Sequence, residues 1–238
     1  PPAMQLFLCE TPPQAQDIAK VPGAGRRGEG CWLGNGVTVT WCIGHLLETA
    51  PPDAYDPRYK RWNLADLPIV PEQWKMTVKA KTASQFKAVK RLPGECAELV
   101  IATDADREGE MIARELVEHC RYRGPIRRLW LSALDDASIR KALAALKPGS
   151  ETHSLYHAAL GRSRADWLIG MNMSRLFTLL GRQSGYQGVL SVSTAPAPSP
   201  PSWRCRSGPS RCSCAKAARP SQRNGARRRT PATSRVAA

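Results

Sequence analysis

Apolar positions along the chain follow two periods. Residues 5–9 and 97–103 are short, nearly unbroken apolar runs that end at acids, as strands covered on both faces do. Residues 37–43 alternate β-branched positions after Gly34-Asn35-Gly36, a hairpin signal. Residues 126–131 read as a further strand. Between these runs the period lengthens to that of a helix. Residues 14–21 follow a Pro-Pro turn and predict a short helix. Residues 108–120 place Met111, Ile112, Glu115, Leu116 and His119 at helical spacing with one apolar face. Asp135 or Asp136 is placed to cap a helix through Leu146, with Ile139, Leu143 and Leu146 inward. Strands alternating with helices predict an α/β fold with a parallel or mixed sheet.

Pro148-Gly149 interrupts the pattern, and residues 151–180 are then wholly helical. Residues 51–75, rich in Pro, Asp, Trp and Tyr, read as an ordered surface excursion. Beyond Val192 periodicity is lost and Ser, Pro, Ala, Arg and Cys dominate, a composition expected to stay disordered. Three regions follow: an α/β domain over 4–150, a partial helical domain over 151–192, and a basic tail over 193–238.

Charge sharpens this division. The chain carries 35 Lys and Arg against 20 Asp and Glu, a net +15. Ten of the basic residues, and no acid, lie from Ser193 onward. The body is thus only mildly basic, compatible with a nucleic-acid partner without requiring one. No apolar stretch reaches 18 residues, and the first residues do not read as a secretory signal. The eight cysteines show no disulfide framework, so a cytoplasmic setting is expected.

The chemistry concentrates where the run over 97–103 ends. Asp104, Asp106 and Glu108 are spaced two apart at the predicted passage from strand to helix. Ligands of open α/β sheets bind at that carboxyl edge. Three carboxylates there repel one another unless a cation joins them, and oxygen ligands favour Mg²⁺. Glu10 ends the first predicted strand, and a parallel sheet would bring it to the same edge. A second reading remains open: acids are favoured at any helix N-terminus, and a lone Glu often only decorates a surface. His45 follows a strand, where a structural role is the commoner one. Trp62, Arg164, Trp167, Arg175 and Arg182 combine guanidinium and indole groups suited to phosphate contact and base stacking. Surface Arg and core Trp account for them equally well.

The segments 6–19 (LFLCETPPQAQDIA), 34–48 (GNGVTVTWCIGHLLE), 52–71 (PDAYDPRYKRWNLADLPIVP), 103–110 (TDADREGE), 162–175 (RSRADWLIGMNMSR) and 185–192 (GYQGVLSV) carry a resemblance. Across residues 4–192 the chain resembles the type IA DNA topoisomerases, in particular bacterial topoisomerase III. That resemblance implies a Toprim domain and then the start of a helical domain that helps form a groove for single-stranded DNA. It implies Mg²⁺ held by Glu10, Asp104, Asp106 and Glu108, with Glu10 also serving proton transfer to the leaving 3′ oxygen. It places Trp62, Trp167, Arg175 and Arg182 at DNA-contacting positions, and Arg164 joins them on its residue type. The implied activity is relaxation or decatenation by passage of one strand through a transient break.

Two departures qualify the resemblance. The family carries Lys directly after its first acid, where this chain has Thr11. Thr cannot stabilise negative charge comparably. The family also continues for hundreds of residues, to a domain bearing a nucleophilic Tyr. The tyrosines here, at 55, 59, 122, 156 and 186, fall in segments matching other parts of the family. A chain without that nucleophile is expected to be inactive alone. The abrupt end of the match and the composition beyond it predict a frameshifted tail; a basic arm for DNA is the competing reading. A remnant that binds single strands without catalysis is the alternative function.

Overall fold

The computed structural model describes residues Met4–Ser193. The predicted basic tail lies outside the described residues, apart from Ser193 at its start.

A mixed seven-stranded sheet organises the chain. Its strands are β1 (Gln5–Cys9), β2 (Arg26–Gly28), β3 (Cys31–Leu33), β4 (Val37–Trp41), β7 (Glu98–Ala102), β8 (Ile126–Arg128) and β9 (Lys147–Pro148), in the order β2-β3-β4-β1-β7-β8-β9. The four central strands run parallel. β2 and β3 on one flank and β9 on the other are antiparallel additions. β3 and β4 form the hairpin that Gly34-Asn35-Gly36 predicts.

Helices cover both faces: α1 (Pro12–Lys20) and α4 (Asp136–Ala144) on one, α2 (Ala83–Arg91) and α3 (Arg107–His119) on the other. Alternation along β1 explains the three layers. Leu6 and Leu8 pack with Phe86, Val89, Ile112 and Leu116. Phe7 and Cys9 pack with Ala15, Ile18 and Ile139 on the opposite face. β7 repeats the division, so both central strands are buried throughout their last four residues. Among the described residues the five cysteines are free thiols, as expected.

Two short strands, β5 (Leu47–Thr49) and β6 (Met76–Val78), pair antiparallel and close the excursion over 50–75. That excursion is ordered by three 3₁₀ turns, two of them capped by Asp56 and Asn63. The helix α5 (His153–Gln183) runs 31 residues and packs on α3 through Tyr156 and Ala159 against Met111. It also pins the excursion. Asn172 accepts from the Ile69 N–H at 2.7 Å and donates to its carbonyl at 3.0 Å.

Three expectations shift. Residues 83–91, given no element by the sequence reading, form α2, which buries Phe86 and Val89. The strand expected over 126–131 stops at Arg128. Beyond it, the Leu129 N–H bonds the Ile101 carbonyl while the chain leaves the sheet. The helix expected through Leu146 ends at Ala144, because residues 147–148 join the sheet as β9.

Candidate active site at the carboxyl edge of the sheet

β1 and β7 lie side by side, with Cys9 level with Ala102. The next turns bring Glu10 beside Asp104, and the Asp104 N–H donates to Glu10 Oε2 at 3.2 Å. The sheet thus joins two acids 94 positions apart. Asp106 is the N-cap of α3, accepting from the Gly109 N–H at 2.7 Å, and Glu108 stands in the first helical turn. The turn is tight. A Cβ on Gly109 would strike the Asp104 carbonyl, so glycine lets the helix start against the acidic loop. Thr103 Oγ1 closes the same turn by donating to the Gly109 carbonyl at 2.7 Å.

Beneath the loop lies a buried ion network. Arg128 is fully buried. Its Nη1 donates to the carbonyls of Ile101, Thr103 and Leu129, and its Nη2 to that of Asp104. Its Nε stands 2.6 Å from Glu110, which is also fully buried and pairs with Arg114. Arg114 in turn holds the Gly149 carbonyl. One guanidinium therefore fixes the backbone from which Asp104 projects.

Burial raises the Glu10 carboxyl above the ordinary carboxylate range, and repulsion from Asp104, Asp106 and Glu108 adds to the rise. The hydrogen bond from the Asp104 N–H opposes it. A carboxyl so placed keeps a proton closer to neutrality, which suits general-acid work. The four acids are oxygen donors of the kind a hard divalent cation takes, in company with water and phosphate oxygens.

Each acid is engaged by the protein as arranged. Asp104 Oδ1 accepts from Gln14 Nε2 at 2.9 Å, Asp106 caps α3, and Glu108 Oε1 lies 2.6 Å from His45 Nε2. Among the described residues no three His, Cys, Asp or Glu side chains converge closely enough to hold a metal ion as they stand. The donor set suits a divalent ion, while the side chains face protein partners.

A cavity of about 760 Å³ opens between this loop and α5. Asp106, Arg107 and Glu108 line one wall, and Arg162, Ser163 and Trp167 the other. Trp167 meets Tyr55 and Trp74 edge-on, with centroids 6.0 and 5.4 Å away. The Arg164 guanidinium lies over Trp74 at 5.2 Å. Trp62 and Arg175 form a second group, the guanidinium 5.2 Å over the indole. Arg175 itself is only 6% exposed and donates to the Tyr59 carbonyl at 2.9 Å. Arg182 is exposed at the end of α5, eighteen residues and about 27 Å along the helix from Arg164. The sequence-predicted aromatic and basic residues thus fall in three places.

The sequence reading missed two contributors and weighed a third toward a structural role. Gln14 and Arg128 carry no motif, and their partners are 90 and 24 positions away. His45, read first as structural, reaches Glu108 and, through Nδ1 at 3.0 Å, Glu115.

A parallel-stranded three-layer core with paired acids at its carboxyl edge is the arrangement of a Toprim domain, and the Toprim domain family model matches residues 5–134. The chain belongs to that family. Within it, the chain is similar to DNA topoisomerase 3 of Vibrio cholerae serotype O1, at 45% identity over 82% of this chain and 31% of the relative. DNA topoisomerase 3 of Salmonella typhimurium gives the same three figures, and that of Bacillus anthracis is 44% identical over 74% of this chain and 24% of its own length. The chain therefore spans under a third of these isomerases. The solved full-length topoisomerase I from Thermotoga maritima matches with a TM-score of 0.51 at 22% identity, over 71% of this chain and 25% of that one. That likeness is one of fold. Toprim domains of topoisomerases generally bind divalent metal. Among the described residues no helix is long and apolar enough to cross a membrane.

Proposed function

We propose that the chain supplies the metal-acid half of a type IA topoisomerase reaction on single-stranded DNA, in a Toprim domain over 4–150 and a helical arm over 151–192. The observation that carries this reading is the contact between Glu10 and Asp104 at the ends of adjacent parallel strands. It is supported by the 45% identity to DNA topoisomerase 3.

Glu10, Asp104, Asp106 and Glu108 would hold Mg²⁺. When bound, the ion would neutralise charge developing on a DNA phosphate. Glu10, raised by burial and by its acidic neighbours, gives up a proton to a leaving 3′ oxygen and takes one back on resealing. Arg128 keeps the loop from shifting. Trp167 faces the strand along the cavity with Arg164 beside it over Trp74, Trp62 offers a stacking surface held by Arg175, and Arg182 extends the basic track. Covalent cleavage needs a nucleophile opposite these acids. None of the five tyrosines is assigned that role, and relaxation or decatenation is expected to require one supplied opposite these acids. DNA is its partner, and the cytoplasm its setting.

The test is plasmid relaxation with Mg²⁺, alongside binding of single-stranded and duplex oligonucleotides. The expected outcome is no relaxation, preference for the single strand, and loss of the Mg²⁺ effect on binding in Asp104→Asn/Asp106→Asn. Relaxation abolished by changing one of the tyrosines would identify a nucleophile and overturn the half-site reading. Unaltered single-strand binding with no response to Mg²⁺ would leave the non-catalytic binding remnant as the function.

A further inference from the structure

His45 stands between two acids of unequal exposure. Its Nδ1 is 3.0 Å from Glu115, whose side chain is 6% exposed, and its Nε2 is 2.6 Å from Glu108, which is 62% exposed. Both acids lie on α3, seven residues apart and hence on one face, while His45 comes from the turn after β4. The two ends of this bridge differ in strength. Freeing a buried Glu115 from its partner leaves an unpaired charge in a poorly solvated place. Freeing Glu108 exposes a carboxylate to water, where ion pairs contribute little.

We infer that His45 is a positioning residue for the acidic site: anchored on Glu115, it holds the Glu108 carboxylate in a latching contact that a divalent cation must displace to gain that ligand. This rests on the metal reading proposed above. It treats Glu108 as engaged by a protein partner, as Asp104 is by Gln14 and Asp106 by the Gly109 N–H. It also gives a chemical role to Glu115, which the acidic motif does not include. His45 keeps its bond to Glu115 throughout, so Glu108 is the arm that moves. The cavity wall on which both His45 and Glu108 lie leaves room for that swing.

The experiment measures Mn²⁺ affinity of the full chain by calorimetry, for the wild type and for His45→Asn, with circular dichroism as the check on folding. Loss of an exposed ion-pair competitor should tighten binding by about two- to fivefold. A second measurement needs no variant. In long-range proton–nitrogen spectra of the wild type, added Mg²⁺ should shift His45 Nε2, whose partner leaves, and leave Nδ1 on Glu115 nearly unmoved. Unchanged or weaker Mn²⁺ binding in a folded His45→Asn protein would overturn the latch. So would an unmoved Nε2 signal at saturating Mg²⁺. Absence of any metal binding by the wild type would overturn the metal reading itself, and the latch with it.

Discussion

At the scale of single residues, the fate of the site depends on charges placed out of water. Arg128 and Glu110 are both fully buried, and removing one leaves the other uncompensated. Arg128→Met should therefore destabilise the fold by about 3–5 kcal/mol in urea unfolding. The double change Arg128→Met/Glu110→Leu should recover a large part of that loss. Recovery would show the penalty to be an orphaned charge; no recovery would assign it to the four carbonyls that Arg128 holds. Two tyrosines report on burial in another way. Burial, with the neighbouring Cys96, lifts Tyr122 to about 12, and burial with Glu118 raises Tyr156 further. Between about 10, where an unfolded tyrosine loses its proton, and those higher values, the folded state keeps protons the unfolded state has shed. Stability from these groups is thus complete below that range and falls as pH rises through it. Ultraviolet titration should show Tyr122 and Tyr156 ionising late in the native protein and losing that delay in denaturant.

At the scale of elements, α5 is the part that gives the edge of the sheet an opposite wall. Its most buried hold on the excursion is Asn172, which satisfies both backbone groups of Ile69, beside the contacts of Arg175 with Tyr59 and Trp62. Asn172→Ala leaves those groups buried and unpaired, a cost of about 1–3 kcal/mol. Limited proteolysis should then cut first within residues 51–75, while the core over β1 and β7 stays protected; cleavage unchanged from wild type would show that Asn172 is not what holds the excursion. The contrast with what the sequence discloses lies at this scale. β1, β7 and α3 are legible because each keeps a single apolar period, and because acids follow the two strands and open the helix. α2 is less so, since Phe86 and Val89 are its only large buried apolar residues and Ala, Ser, Gln, Lys and Arg fill the rest. The meeting of Glu10 with Asp104 follows from strand order, which the parallel reading anticipates. His45 on Glu115 and Arg128 under Asp104 do not follow from any spacing. They depend on how far α3 is rotated over the sheet and where β8 ends, which packing alone decides.

At the scale of the whole molecule, the charge is divided between a folded body and the residues that follow it. The body carries +5 and contains every residue assigned to the acidic site, while residues from Ser193 onward carry nine Arg, one Lys and no acid. These two parts should contribute to nucleic-acid binding by different physics. Cations that neutralise phosphates release counterions, and for single strands each changes the slope of log affinity against log salt by about 0.7. Removing residues 193–238 should therefore weaken binding to every nucleic acid alike and flatten that slope. What remains should be less salt-dependent and should still distinguish single strands from duplex, because base stacking on Trp62 and Trp167 requires unpaired bases. Trp167→Ala in the shortened chain should then lower single-strand affinity, by an amount that follows from about 1–3 kcal/mol per stacked base, and leave duplex binding unchanged. An unaltered salt slope after truncation would show that the basic segment does not touch the strand. Equal losses for single strand and duplex in Trp167→Ala would mean that the indole, edge-on to Tyr55 and Trp74, supports the cavity wall instead of stacking on a base.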